Sequence, residues 1–218
     1  ISFNVGKISE VFNQVKNFLK NKIVINSIYL FLLSIIIFIS FKIRIQNLDL
    51  LKDSTTGMYI PTALDPFYFL RIAETILEQG FLPAFDSMRY IPIKLGFSPE
   101  IMPQVVVFMY KIANVFGEFS LQFINVISPV IFFGLGLIFF FFLIYKLTNS
   151  KITALISSLF LSIIPPYLFR TTAGFSDHES FGMMAFFLVM LVYVLGIKFL
   201  EKNNKLLKIS LLGILQVF

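Results

Sequence analysis

The sequence predicts an all-α integral membrane protein, a multi-span helical bundle, from three observations. Hydrophobic residues make up 57% and charged residues 14% of its 218 residues, with a mean hydropathy of +0.87. Soluble domains use about a quarter charged residues. Uncharged apolar runs at 23–41, 121–145, 152–169 and 180–197 each approach the roughly 20 residues that a bilayer crossing needs. The Lys residues that separate them fall in a pattern that fixes an orientation. No cysteine is present, which excludes disulfides, and no nucleic-acid partner is expected.

Residues 1–22 carry Lys7, Lys16, Lys20 and Lys22 among Val11, Phe12, Val15, Phe18 and Leu19 at helical spacing. They read as an amphipathic lead-in on the cytoplasmic membrane face rather than a cleaved signal. The transmembrane region then occupies 23–218, with a first span at 23–41. From 42 to 120 the chain is mixed in character and rich in Gly and Pro, the pattern of a long external loop with many turns. Within it, Asp65 as N-cap, Pro66 at the first helical position and Gly80 past the end bound a helix. Residues 102–116 are apolar but interrupted by Lys111, and at ~1.5 Å per residue they fall short of a ~30 Å hydrocarbon core.

Charge parity decides whether 102–116 crosses. If it does not, the inside segments hold ten of the 18 basic residues and only two of the 12 acids, Glu10 and Glu201. Crossing would put the 146–151 and 198–208 lysines outside and break the positive-inside bias. The segment is therefore expected to be peripheral or re-entrant. Four complete spans follow, with the start of a fifth at 209–218. The chain begins with Ile and stops in an apolar run, and so reads as a piece of a longer protein.

The chemistry concentrates at Arg170-Thr171-Thr172-Ala173-Gly174-Phe175-Ser176-Asp177-His178-Glu179-Ser180, between the third and fourth apolar runs. Ionisable residues at a membrane rim are costly unless they face water, protein or an ion. Ser176-x-x-Glu179 also spells a capping box. The two readings are compatible: Asp177 and Glu179 would diverge on a continuous helix, but converge if Asp177 lies before its start, which Gly174 makes easy. Asp65 falls in the same extracytoplasmic compartment. Two helix starts facing one side could assemble three carboxylates, hard oxygen ligands suited to Mg²⁺ or Mn²⁺.

Arg170-x-x-Ala173-Gly174-x-x-Asp177-x-Glu179 resembles the second acidic motif of oligosaccharyltransferase catalytic subunits, and Asp65-Pro66-Phe67-Tyr68-x-Leu70-Arg71 resembles their first-loop motif. The Asp-x-Glu form resembles the archaeal type. The resemblance implies a GT-C type membrane fold. It also implies transfer of an oligosaccharide from a dolichyl phosphate or diphosphate carrier to the Asn amide of Asn-x-Ser/Thr sequons, at the extracytoplasmic face of the cell membrane. By position, Asp65 matches the catalytic acid that contacts both metal and acceptor amide, and Asp177 and Glu179 match the metal-binding pair. Arg170, an arginine ending a span, reads first as a local ion pair, with orientation of the acids or contact with the carrier phosphate as the alternatives. The later-loop Glu and the Trp-Trp-Asp segment of the family are not in these residues, so this piece alone is expected to be inactive.

Other residues have plainer readings. His178 is expected to point away from the two acids. Arg71 with Glu74 and Glu78 reads as the polar face of a helix. Asp86, Arg89, Tyr90 and Pro92 resemble a turn in the family's first loop, though Asp86 and Arg89, three apart, also read as a local salt bridge. The phenylalanines at 139–142 read as lipid-facing or packing residues, and Pro165-Pro166 as a break in the third span. A related protein O-mannosyltransferase would favour an adjacent Asp-Glu, whereas Pro66 follows Asp65 here. A cation transporter would place ionisable residues within spans that are here uncharged.

Overall fold

A computed structural model describes residues 21–203 except 87, 90, 94, 98 and 99, with residues 201–203 described by their backbone. Residues 1–20 of the expected lead-in and the expected fifth span at 209–218 lie outside the described residues.

Helix α1, Lys22–Arg44, opens with Asn21, whose side chain accepts from the Ile23 N–H at 3.0 Å. Its 23 residues rise about 34 Å, enough for a hydrocarbon core. A 3-10 turn, Leu48–Leu51, leads into the loop. Helix α2 is Leu64–Gln79, capped by Gly80 in the left-handed conformation (φ 77°) as expected. Its start differs from expectation. Ala63 is the extended residue before the helix, so Asp65 lies inside the first turn. Pro66 is tolerated one position further in because the first-turn N–H groups lack intrahelical partners anyway.

A two-strand hairpin follows, β1 (Phe85–Asp86) antiparallel to β2 (Leu95–Gly96), with Phe85 opposite Gly96. The Ile91–Pro92 bond between them is cis. The hairpin is tied to α2 by Arg71, which forks both oxygens of Asp86. Arg71 therefore pairs with the loop rather than with Glu74 or Glu78, and Glu74 accepts instead from Gln122 Nε2 at 2.9 Å. The fork holds the buried Asp86 carboxyl below the usual carboxylate range, an effect opposed by burial and reinforced by the Met88 N–H.

Helix α3, Ile101–Phe116, packs on α2 and α4. Helix α4, Leu121–Thr148, is capped by Ser120 and runs for 28 residues, about 42 Å. Pro129 sits inside it and removes the donor for the Asn125 carbonyl; the Ser128 hydroxyl donates to that carbonyl at 2.8 Å. Helix α5, Lys151–Ile163, and helix α6, Pro165–Arg170, are separated by Ile164. Ile164 is extended (φ −60°, ψ 120°), as a residue before proline prefers to be. The apolar run at 152–169 is thus two short helices, broken where Pro165-Pro166 was expected to break it. Helix α7 is His178–Asn203.

Among the described residues, α1, α4 and the His178–Leu200 part of α7 are long and apolar enough to cross a membrane. Helix α4 is the central element and packs most extensively on α7. Gly136 permits that approach, since a Cβ there would sit 3.3 Å from the Met184 Cα. One core joins α2, α3 and α4 through Phe69, Ile72, Met102, Val106, Ile124 and Phe132. A second lies under the loop, where Val126, Ile127, Val130 and Ala173 meet Leu48 and Leu51. On α1 the outward residues Phe31 and Phe38 are exposed and apolar, a surface suited to lipid.

Candidate functional site

The segment between α6 and α7 has few backbone bonds of its own, so its shape is set by what surrounds it. The Ala173 N–H donates to the Arg44 carbonyl at 2.9 Å, and the Gly174 N–H to the Val126 carbonyl at 2.8 Å. The Gly174 carbonyl accepts from the Thr62 N–H at 3.0 Å, and the Ala173 carbonyl from Asn47 Nδ2 at 2.9 Å. Gly174 itself adopts φ +89°, and a Cβ there would lie 2.7 Å from Leu51 Cδ1 and 2.8 Å from Thr62 Cγ2. Both the conformation and the space exclude a side chain.

Beneath the turn lies Arg44, fully buried at the end of α1. Its Nε donates to Thr171 Oγ1 at 2.8 Å, one terminal nitrogen donates to the Ser162 carbonyl at 3.1 Å, and its guanidinium lies 3.4 Å from the Phe133 ring centroid. A buried charge costs several kcal/mol unless its donors are matched. Here the partners are neutral oxygens and an aromatic face, so one residue fastens α1, α4, α5 and the start of the turn together. Nothing in the sequence marks it, because an arginine ending an apolar run looks like an ordinary interfacial residue.

The turn delivers Asp177 to the position just before α7. Its side chain is 5% exposed, and Oδ1 accepts from the His178 N–H at 2.7 Å and lies 2.6 Å from His178 Nδ1. Asp177, not Ser176, therefore stands at the helix start. The Ser176 hydroxyl instead accepts from Asn125 Nδ2 at 2.8 Å, which links it to the Pro129 region of α4. Because Asp177 is outside the helix, its carboxylate and that of Glu179 can meet. One ligand atom from each of Asp177, His178 and Glu179 lies within 4.8 Å of the others. His178 thus joins the acids instead of pointing away. Only on a continuous helix would it be rotated away from Asp177, and Asp177 precedes the helix.

Glu179 has divided surroundings. Its Oε1 pairs with the Arg170 guanidinium at 2.8 Å, while Oε2 is buried with no hydrogen-bond partner. Arg170 also lies over the Phe175 ring, 4.8 Å from its centroid. It is the local ion pair expected of it.

Asp65 is not part of the 4.8 Å group. It is exposed, on the same face of α2 as Phe69 one turn later, and the Phe69 ring centroid lies 6.3 Å from that of His178. Asp65 lines a cavity of about 750 Å³ with Tyr59, Tyr68, Arg71, Glu74 and Arg89. In its wall, Arg89 lies 4.6 Å from the Tyr68 ring centroid, and the Tyr68 hydroxyl is buried without a partner.

An orphaned buried carboxylate oxygen beside a second carboxylate and an imidazole fits a divalent cation. Two oxygen donors suit Mg²⁺ or Mn²⁺, and the imidazole adds affinity for Mn²⁺ and Zn²⁺.

Several known proteins resemble this chain. The dolichyl-phosphooligosaccharide-protein glycotransferase of Methanococcus voltae is 26% identical over 205 residues, covering 83% of this chain and 22% of the relative. That of Methanocaldococcus jannaschii is 26% identical over 227 residues, covering 91% and 24%. The chain therefore spans about a quarter of the length of these relatives. The apo crystal structure of the Archaeoglobus fulgidus oligosaccharyltransferase aligns with a TM-score of 0.69 at 23% identity, covering 82% of this chain and 20% of that one. The archaeal oligosaccharyltransferase from the same organism, in complex with an inhibitory peptide and a dolichol-phosphate, aligns at 0.68 and 23% identity, covering 84% and 22%. Both alignments share the helical membrane fold. The family model described as oligosaccharyl transferase STT3, N-terminal, matches residues 27–217, and the chain belongs to that family.

Proposed function

We propose that this chain is the N-terminal membrane part of an enzyme that transfers an oligosaccharide from a dolichyl phosphate or diphosphate carrier to the Asn side chain of Asn-x-Ser/Thr sequons. The observation that carries the reading is the cluster at the start of α7: Asp177, His178 and Glu179 within 4.8 Å, with a buried, unpartnered Glu179 oxygen. Family membership and the Archaeoglobus fulgidus complexes support it. One contains a dolichol-phosphate, another is tethered to an acceptor peptide with an NVT sequon, and a third contains Zn and sulfate.

In this reading Asp177 and Glu179 would hold a divalent cation, with His178 as a further ligand and Asp65, in the first turn of α2, as the third acid of the set. Such an ion, when bound, supplies positive charge beside the phosphate that departs. The residues of the chain do the rest. An amide nitrogen is a poor nucleophile, since its lone pair is shared with the carbonyl across a bond whose rotation barrier is ~18–20 kcal/mol. Asp65, accepting from the acceptor N–H, weakens that sharing and holds the nitrogen towards the sugar carbon. The sugar carbon–oxygen bond to phosphate then breaks as the carbon–nitrogen bond forms, the carrier phosphate departs with the bonding electrons, and the proton that the amide gives up passes to the Asp65 carboxylate. Arg170 keeps Glu179 in one orientation through the pair at 2.8 Å. The cavity of about 750 Å³ beside Asp65 is of a size that holds a substrate group and opens directly on that carboxylate.

The topology belongs to the same proposal: α1, α4, α5 with α6, and α7 cross the membrane, the loop 42–120 is external, and the acids face the extracytoplasmic side. The test uses the full-length protein with a fluorescent sequon peptide and its lipid-linked oligosaccharide. Asp65→Ala and Asp177→Ala are each expected to lower transfer at least about 100-fold. Undiminished transfer by Asp65→Ala rejects the assignment of that residue.

A further inference from the structure

The far end of α4 carries a second constellation that the transfer reaction does not use. Tyr145 stands twenty residues beyond Asn125, the residue bonded to Ser176, which places it about 30 Å along the helix axis, one hydrocarbon thickness from the acid cluster. There, the start of α1, the end of α4 and the start of α5 enclose a cleft of about 190 Å³ lined by Lys22, Asn26, Tyr29, Phe142, Tyr145 and Lys151.

Lys151 is held in place. Its ammonium donates to Asn26 Oδ1 and sits 5.6 Å and 5.8 Å from the ring centroids of Tyr29 and Tyr145. None of these partners neutralises its charge. Lys22, exposed and also lining the cleft, adds a second positive charge, and no carboxylate lines the cleft among the described residues. Lys146, over the Tyr145 ring at 5.7 Å, adds to the field of this corner. Lys198 donates to the Lys146 carbonyl beside it. The rest of the lining is apolar, with Leu30, Phe141 and Phe142.

We propose that this cleft binds the phosphate headgroup of an anionic membrane lipid. The lining has the two characters of such a molecule: cations and polar side chains for the phosphate, apolar side chains for the acyl chain. Basic pockets between membrane helices recognise anionic headgroups in this way, and tyrosines favour the same depth. A free phosphate would have no use for the apolar wall, which is why the lipid is the occupant. The inference stands apart from the transfer chemistry.

The test is native mass spectrometry of the delipidated full-length protein titrated with phosphatidylglycerol, phosphatidylcholine and inorganic phosphate. One phosphatidylglycerol is expected to bind in preference to phosphatidylcholine and to resist displacement by equimolar inorganic phosphate. At about one kcal/mol per lysine, Lys22→Gln should weaken it about fivefold and Lys22→Gln with Lys151→Gln about 30-fold. Equal retention of phosphatidylcholine, displacement by inorganic phosphate, or unchanged binding by the double variant overturns the assignment. Lys22→Gln alone decides if loss of the Lys151 contacts prevents folding, since Lys22 is exposed at the helix start.

Discussion

Replacing Gly174 with Ala is the sharpest probe of how the acid cluster is held. At φ +89° an L-residue costs roughly 1–2 kcal/mol. The new methyl would also stand 2.7 Å from Leu51 Cδ1 and 2.8 Å from Thr62 Cγ2, an overlap of the kind that costs about 1–3 kcal/mol when the surroundings must shift. The turn cannot rotate freely to escape, because the Gly174 N–H and carbonyl are both bonded, at 2.8 Å and 3.0 Å. The expected loss is therefore about 2–5 kcal/mol. Denaturant titration of the detergent-solubilised full-length protein, followed by far-UV circular dichroism, measures it. Leu51→Ala supplies the internal check: it removes one of the two clashing atoms, so the double variant should be more stable than the sum of the single losses by about 0.5–2 kcal/mol. A Gly174→Ala protein within about 0.5 kcal/mol of its parent would refute the reasoning. So would strict additivity with Leu51→Ala.

Arg44→Met keeps length and apolar stem but strips the donors to Thr171 and Ser162 and the stack on Phe133; a loss of about 3 kcal/mol is expected by the same titration, together with weaker Mn²⁺ binding because the turn loses its floor. His178→Asn should weaken Zn²⁺ binding more than Mg²⁺ binding in calorimetric titrations, since imidazole is the softer donor; equal losses for both ions would remove His178 from the ligand set. Asp86 has its pKa depressed in the folded protein, chiefly by its bonds to Arg71. Its contribution is therefore complete above the unfolded value of about 4 and is lost as pH falls through the lower folded value. Asp86→Asn should destabilise the first loop at neutral pH and abolish that part of the acid sensitivity, as read by hydrogen exchange in 81–100.

The long helices were legible because a bilayer crossing leaves a mark that no tertiary contact can blur, some twenty residues without charge, as in α1, α4 and α7. Local punctuation was equally plain where it rests on backbone chemistry alone: Gly80 ends α2, and Pro165 breaks the third apolar run. The start of α2 was misplaced because an Asp before Pro satisfies the rules for a cap, and only packing of the loop puts Ala63 there. What could not be read were partners distant in sequence. Arg71 finds Asp86 fifteen residues away, and Arg44 finds Thr171 127 residues away. Neither pairing has a periodicity. The acid motif was found by its spacing, but the place of His178 depended on where α7 begins, a matter of one residue.

The turn that presents the acids takes its backbone partners from residues 44, 47, 62 and 126, which precede it in the chain. During synthesis it therefore emerges into a mould already made. A protein lacking its first sixty residues would still carry Asp177 and Glu179 on α7, yet would lose the partners at 44 and 47, half of what presses the turn into register.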